Sequence, residues 1–427
     1  MNKRRYQSTD VKRMNWSKVA EAVAGGSLTV AVDVAKEDFM AALMKPGHEV
    51  VETVRWKHPQ ETRRLEAGLL SLGLPVERIA VAMEPSGTYG DSLRYTLSKR
   101  GIAIWRVSPK RVHDAAEVFD GVPSLHDAKS AYLIGRLHQD GASERWQDLP
   151  ETRRDDQALL AELDLYQSEH RRNLNRLGAL LSRHWPEAET VMDLDRASLL
   201  NLIAEYGDPS HLQQQRSAAG QALRQHGGHF LEEAVIEALL DSAANTLGVP
   251  CTAGERAYLQ CLARELLRTR EGIHEVERRI QARTASEAVL QSMAGAVGAV
   301  TSLALNATLG SPLDYPSPKH YLKALGLNLR ECSSGKHHGQ LRITKRGPAL
   351  GRKYLYFAVL RWLQADHGAN AWYQEKSARD GGIHGKALIG LMRRLVKGLW
   401  HVARGACFDS SKLFEARPEG RPVMAMT

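Results

Sequence analysis

The sequence predicts an α/β unit followed by a largely helical remainder. Three observations predict it. Short apolar, β-branched runs alternate with helical patterns from Ser27 to about Leu137. A near-unbroken heptad seam then runs through Leu259, Leu262, Leu266, Thr269, Ile273, Val276 and Ile280. From Ala288 onward, Met293 to Thr301 reads as a tight corner between two helices, built from small residues. Strand–helix–strand repeats imply a mixed sheet with helices on its faces, and a heptad seam implies a coiled coil or a long helical hairpin.

The elements follow in chain order. Residues 1–26 form a basic N-terminal extension; its start, MNKRRYQSTDVKRMNW, lacks the apolar stretch of a signal peptide. Residues 27–150 make the first domain. Leu28–Asp33, Phe39–Met44 and Glu49–Val54 read as consecutive antiparallel strands, with turns at Lys36-Glu37 and Pro46-Gly47. A helix is expected from about Pro59 to Leu72, ended by Gly73 and Pro75. Arg78–Met83 is a fourth strand, Thr88–Arg100 a helix and Ile102–Val107 a fifth strand. Residues 151–287 form a helical, coiled-coil region, with a looser seam through Leu163, Tyr166, Leu174, Leu177 and Leu181. Its long helices either pair within the chain or join two chains. Residues 288–410 form a third, mainly helical domain, and 411–427 a tail.

Composition narrows the function classes. The chain has 427 residues, 43% of them hydrophobic and 25% charged, which is globular composition and enough for two or three domains. The four Cys residues are scattered without a CxxC spacing. A disulfide scaffold and a structural zinc site are therefore not expected, and a reducing, cytoplasmic compartment is. The longest apolar run, Ala294 to Gly310, holds Gly, Ser, Thr and Asn and is too short to span a membrane. The net charge of +9 is unevenly spread. Between Lys319 and Arg361 stand ten Lys or Arg against one acid, Glu331, so this stretch alone carries as much net charge as the whole chain. Such a basic block suits a nucleic-acid partner.

Carboxylates at strand ends are the first chemical signal. Asp33 ends the first strand and Glu84 follows the fourth, in MEPSGTYG. At a strand end a side chain can point into a crevice, and two such carboxylates on neighbouring strands suit a divalent cation such as Mg²⁺. Two ions of this kind stabilise the attacking and leaving oxygens in phosphodiester chemistry. Asp127, in HDAKSAYLIGRL, opens a further helix, where an acid also serves as an ordinary cap. Three residues on, along the same face, stands Ser130 rather than an acid.

These motifs carry a resemblance. VAVDVAKEDF around Asp33, MEPSGTYG around Glu84 and HDAKSAYLIGRL around Asp127 resemble the N-terminal RuvC-like domain, of RNase H fold, of the DEDD transposases of the bacterial insertion sequence 110 family. MAGAVGAVTSLALNATLG and KHYLKALGLNLRECSSGKHHGQLRITKRG resemble that family's second transposase domain. The resemblance implies that Asp33, Glu84 and Asp127 are the first three members of a metal-binding tetrad for Mg²⁺ or Mn²⁺. The fourth position, normally Asp, falls on Ser130. A shifted register would instead place Asp127 fourth and Ser124 third. In either register one carboxylate is missing, and His126, Asp120 or a water held by Ser130 would compensate.

Within the basic block lies Ser333-Ser334-Gly335-Lys336. By itself this is an ordinary turn. A serine hydroxyl is a weak nucleophile unless a base or metal activates it, and nearby cations attract a phosphate. The resemblance implies that Ser334 is the nucleophile joined covalently to DNA; without it, the neighbouring Ser333 is an equal candidate. Cys332 reads as a packing residue. Lys336, Arg342, Lys345, Arg346, Arg352 and Lys353 are then expected to contact phosphates, as are His337 and His338. Arg393, Arg394 and Lys397, on an apolar helix with Trp400, face either nucleic acid or solvent.

The resemblance therefore implies a transposase acting on element ends and target DNA. Its members work as homo-oligomers, dimers or tetramers, with a structured non-coding guide RNA, and no membrane is involved. A bacterial, nucleoid-associated location follows. Two alternatives keep the same motifs. A nuclease or junction resolvase would hydrolyse DNA through the carboxylates and leave Ser334 unused. A degenerate nucleic-acid-binding relative would use neither.

Overall fold

The computed structural model describes residues 7–85, 87–121, 126–334 and 337–414, with the backbone alone at Asp120, Cys332, Ser333, Ser334, His337, His338 and Gln340. The chain divides into two compact units, Met1–Asp148 and Leu149–Thr427.

The first unit is a seven-stranded mixed sheet with helices on both faces. In chain order it contains β1 (Thr9–Asp10), α1 (Trp16–Val23), β2 (Leu28–Asp33), β3 (Asp38–Lys45), β4 (Glu49–Lys57), α2 (Thr62–Leu70), β5 (Ile79–Met83), α3 (Asp91–Ser98), β6 (Ala103–Val107), α4 (Pro109–Asp120), α5 (Asp127–Gln139) and β7 (Ser143–Arg145). The strand order is β1-β4-β3-β2-β5-β6-β7. The expected antiparallel triplet β2-β3-β4 is present, and β5 and β6 run parallel to β2 on its other side. The β3–β4 turn places Gly47 at φ 84° and His48 at φ 64°, two successive left-handed residues that match the twist of a hairpin. Gln139 fixes it from α5 by accepting the His48 N–H at 2.8 Å.

The alternation of a pleated strand sorts the core into two layers. Val30 and Val32 of β2 join Phe39, Leu43, Leu65 and Leu97 on one face. Ala31, Ala42, Met44 and Ala82 join Val112, Ala131 and Ile134 on the other, under α4 and α5. Small residues on this second face let α5 approach closely. A Cβ added to Gly135 would stand 2.3 Å from the Met44 sulfur and 2.9 Å from the Ala31 Cβ, so only glycine fits.

Four elements of this unit, β1, α1, α4 and β7, went beyond the sequence reading, two of them in the basic N-terminal segment. β1 is a polar pair, Thr9-Asp10, held parallel to β4. α1 packs Val19 and Val23 into the core and is capped by Asn15, which accepts the Lys18 N–H. Neither a two-residue strand nor a single eight-residue helix leaves a clear periodic signal in a basic segment.

The second unit is mainly helical. It contains α6 (Glu151–His184), α7 (Ala188–Val191), α8 (Ala197–Tyr206), α9 (Pro209–Gln214), α10 (Arg216–Gly227), α11 (Glu233–Ala244), α12 (Ala253–Ala285), α13 (Ala288–Val297), α14 (Ala299–Leu309), α15 (Pro318–Ala324), β8 (Leu329–Ser334), β9 (His337–Ile343), α16 (Ala349–Ala365), α17 (His367–Arg379) and α18 (His384–Val402). A capping box starts α12: the Thr252 hydroxyl accepts the Glu255 N–H, and the Glu255 carboxylate accepts the Thr252 N–H. Gly298, at φ 83°, makes the corner between α13 and α14.

The long helices α6 and α12 pair antiparallel. Asp156 meets Arg283 at 2.9 Å, Glu162 meets Arg279 at 2.8 Å and His170 meets Thr269 at 2.9 Å, so one number falls as the other rises. The heptad seam of α12 is consumed inside the chain. Leu259 and Leu266 join a core with Leu177, Leu181 and Ile203. Val276 and Ile280 join Leu160, Leu163, Leu303 and Tyr354. Among the described residues, no helix is long and apolar enough to cross a membrane.

Candidate active site

The parallel pairing of β2 and β5 brings two of the expected carboxylates together. Val32 pairs with Met83, so Asp33 and Glu84 are the next residues on adjacent strands as both leave the sheet. Alternation puts Asp33 on the Ala31 side, the face covered by α5. That helix lies back along β2. Its Gln139 donates to the Lys45 carbonyl at 2.9 Å and to the Thr29 hydroxyl at 3.3 Å, and Gly135 lies over Ala31. The first turn of α5 is thereby carried toward Asp33. It begins with Asp127, and the helix cap is the preceding residue, His126, whose ring accepts the Lys129 N–H. Asp127 is thus not spent on capping.

The electrostatics record the crowding. Burial, and after it the neighbouring Asp127 and Glu84 carboxylates, push the Asp33 carboxyl up to about 6, against the pull of the Val34 N–H. Burial also raises Glu84 above its ordinary value. Asp33 and Glu84 are half-buried and Asp127 exposed, so the group opens to solvent on one side. A cavity of about 470 Å³ reaches Asp127 across β3 and β4, with Asp38, Met40, Arg55 and Lys57 in its lining. Carboxylate oxygens are the donors that a hard divalent cation prefers. Among the described residues, however, no three His, Cys, Asp or Glu side chains stand in place around one ion position.

Ser130 lies one turn into α5 and is 9% exposed. Lys129 beside it is 2% exposed, a buried ammonium that the sequence reading passed over because one lysine in a helical pattern reads as surface. Of the proposed compensating groups, His126 is the helix cap and Asp120 is described by its backbone alone; Ser124, the third position of the shifted register, lies outside the described residues.

Ser334 stands in the second unit. It ends β8 and pairs with His337 of β9, with a register shift between Cys332 and Ser334. Gly335 and Lys336, which stand between the two strands in the sequence, lie outside the described residues. The serine therefore belongs to the tip of a two-stranded hairpin, where the chain reverses. Of the expected phosphate contacts, Lys345 and Arg346 are exposed just past β9, and Arg342 lies on it. Arg352 is turned inward, donating to the Leu325 carbonyl at 3.1 Å and the Gly347 carbonyl at 2.8 Å. Lys353 pairs with Asp164 of α6 at 2.5 Å. On α18, Arg393 and Arg394 donate to the Leu327 and Leu413 carbonyls, while Lys397 is exposed.

Known proteins supply an independent line of evidence. A family model described as a transposase, for DEDD proteins of the IS110 type, matches residues 30–186. A second, described as the transposase IS116/IS110/IS902 family, matches residues 287–374. No curated protein matches the chain in sequence. The first match contains all three clustered carboxylates and the second contains the Ser334 hairpin, in the expected order. The chain belongs to the IS110 family of DEDD transposases, and its activity is that of a DNA transposase and recombinase.

Proposed function

We propose that the chain cuts and rejoins DNA with the carboxylates of Asp33, Glu84 and Asp127 and the hydroxyl of Ser334. The observation that carries this reading is the approach of the three carboxylates where β2 and β5 leave the sheet, where burial, and after it the Asp127 and Glu84 carboxylates, raise Asp33 to about 6. Like charges brought together at a solvent-open edge are costly to keep without a counter-charge. Mg²⁺ or Mn²⁺ held there supplies that counter-charge and stabilises negative charge developing on the phosphate oxygens.

The Ser334 oxygen attacks phosphorus and gives up its proton. The bond from phosphorus to the 3′ oxygen breaks, and that oxygen takes a proton to leave as a 3′ hydroxyl. The product is a phosphate ester to Ser334. A 3′ hydroxyl of another strand then attacks this ester and returns the serine to its starting state. One phosphoester bond is exchanged for another at each step, so no ATP is needed. Arg342, Lys345 and Arg346, on and beside the same hairpin, offset the charge of the incoming phosphate. A structured guide RNA and a homo-oligomer, dimer or tetramer, complete the assembly in this reading, which places it at the nucleoid.

The test is recombination of a plasmid carrying the element ends and flanking RNA. Asp33→Asn and Ser334→Ala are both expected to abolish recombinant product. Parental recombination by Ser334→Ala would exclude the serine mechanism. Cleavage without rejoining in that variant would identify a hydrolytic nuclease instead. An unaffected Asp33→Asn variant would remove the carboxylates from the chemistry.

A further inference from the structure

The root of the β8–β9 hairpin gathers cations from three separate segments. Arg393 of α18 donates to the Leu327 carbonyl, two residues before β8, at 3.0 Å. Just past β9, Lys345 donates its N–H to the Gly326 carbonyl at 3.0 Å. The backbone of Arg346 lies against Gly326, where an added Cβ would fall 2.8 Å from the Arg346 nitrogen. Lys319 lies in the first turn of α15, which packs on α18. Across that packing stands Lys397. Partial burial, together with the cations Arg393, Lys319 and Arg394, pushes its ammonium below the ordinary value.

This grouping is unfavourable in the protein alone. The groups acting on Lys397 are all positive. None of Lys319, Lys345, Arg346, Arg393 and Lys397 forms an ion pair with an acid among the described residues. Lys345 also holds φ at 53°, one of two residues other than glycine with positive φ among the described residues. A left-handed conformation is unfavourable for a side-chain-bearing residue, and such outliers concentrate at functional sites. Unpaired like charges and a strained lysine at one place indicate an anion that the protein itself does not supply.

We propose that this cluster binds successive backbone phosphates of the DNA, at the root of the hairpin whose tip carries Ser334. The proposal rests on the reading of the chain as a DNA recombinase and adds a second contact zone to it. Lys319 and Lys397 lie outside the hairpin, and as exposed residues they provide point charges for phosphates. Arg393, tied to the Leu327 carbonyl, holds the hairpin root against that zone.

The experiment measures binding of the full chain to a fluorescent DNA duplex of arbitrary sequence, in EDTA, across a salt series. Phosphate contacts are sequence-independent, and each one lost lowers the slope of log affinity against log salt by about one. The Lys319→Gln/Lys397→Gln variant is expected to lower that slope by about two, and the Lys319→Arg/Lys397→Arg variant to keep it. Lys386→Gln, at the other end of α18 and close to Asp380, is the control expected to match the parent. A parental slope in the double Gln variant overturns the proposal, as does an equal loss in the control. Both lysines are exposed, so the double variant should keep the parental melting temperature; if it melts early, Lys397→Gln alone must lower the slope by about one. Ser334→Ala is expected to bind with the parental slope. Failure of the serine chemistry and failure of this site are therefore read in different assays.

Discussion

Replacing Asp33 with Asn is expected to stabilise the sheet unit while ending catalysis. The Asp33 carboxyl is pushed from 3.8 up to about 6 by burial, Asp127 and Glu84. The folded protein thus binds this proton more tightly than the unfolded chain does. Ionising Asp33 therefore costs stability: the cost is absent below the unfolded value, grows as pH rises from about 4 to about 6, and is constant above that. A shift of about two units corresponds to roughly 3 kcal/mol. Asp33 is partly exposed, and solvent screening reduces this to about 1–2 kcal/mol. Asn keeps the shape and removes the charge. Thermal unfolding in EDTA at about pH 8 is expected to show the variant melting about 2–6 °C above the parent, with the gap closing as pH falls toward 4. Adding Mg²⁺ should raise the parent's midpoint by mass action and the variant's far less. A variant that melts at or below the parent at alkaline pH would refute the reasoning, as would a gap that ignores pH.

Three further outcomes follow from particular contacts. Gly135→Ala should drive a methyl into the Met44 sulfur and the Ala31 Cβ, costing about 1–3 kcal/mol in denaturant unfolding and lowering activity by displacing the start of α5. Asp156→Ala removes a carboxylate that is 1% exposed and binds Arg283 at 2.9 Å, and should cost about 3 kcal/mol, since Arg283 retains Glu287. Ser130→Asp adds a fourth carboxylate one turn along α5 from Asp127; it should lower the Mg²⁺ concentration at the midpoint of the thermal shift, and an unchanged midpoint would dissociate Ser130 from the metal-binding group.

Much of the sheet was legible because its strands are apolar, β-branched and bounded by turn residues. Leu28–Asp33 and Ile79–Met83 are runs whose burial leaves little freedom in where they start and stop. The seam of α12 was equally legible, because a repeat of three and four leaves one face to bury. Its partner was not: the seam is satisfied by α6 and α8 within the chain, and periodicity carries no partner's identity. β1 escaped because Thr9 and Asp10 become a strand only by pairing with Val54 and Arg55. At the site, a strand-end Asp and a strand-end Glu could be read singly, but their adjacency depends on the parallel register of β2 and β5. The basic block showed where cations are dense, not which are spent. Arg352 and Lys353 serve internal contacts, whereas Lys319 and Lys397, 78 positions apart in the sequence, converge through the packing of α15 on α18.

The central claim, that Ser334 and the clustered carboxylates exchange DNA strands rather than hydrolyse them, is tested most directly by trapping the serine ester. Full-length protein is incubated with labelled element ends, guide RNA and Mg²⁺, then denatured and resolved by mass. The account predicts a protein–DNA adduct that survives denaturation in the parent, maps to Ser334, and is absent from both Ser334→Ala and Asp33→Asn. Cleaved DNA with a free 5′ phosphate and no adduct in the parent would contradict it.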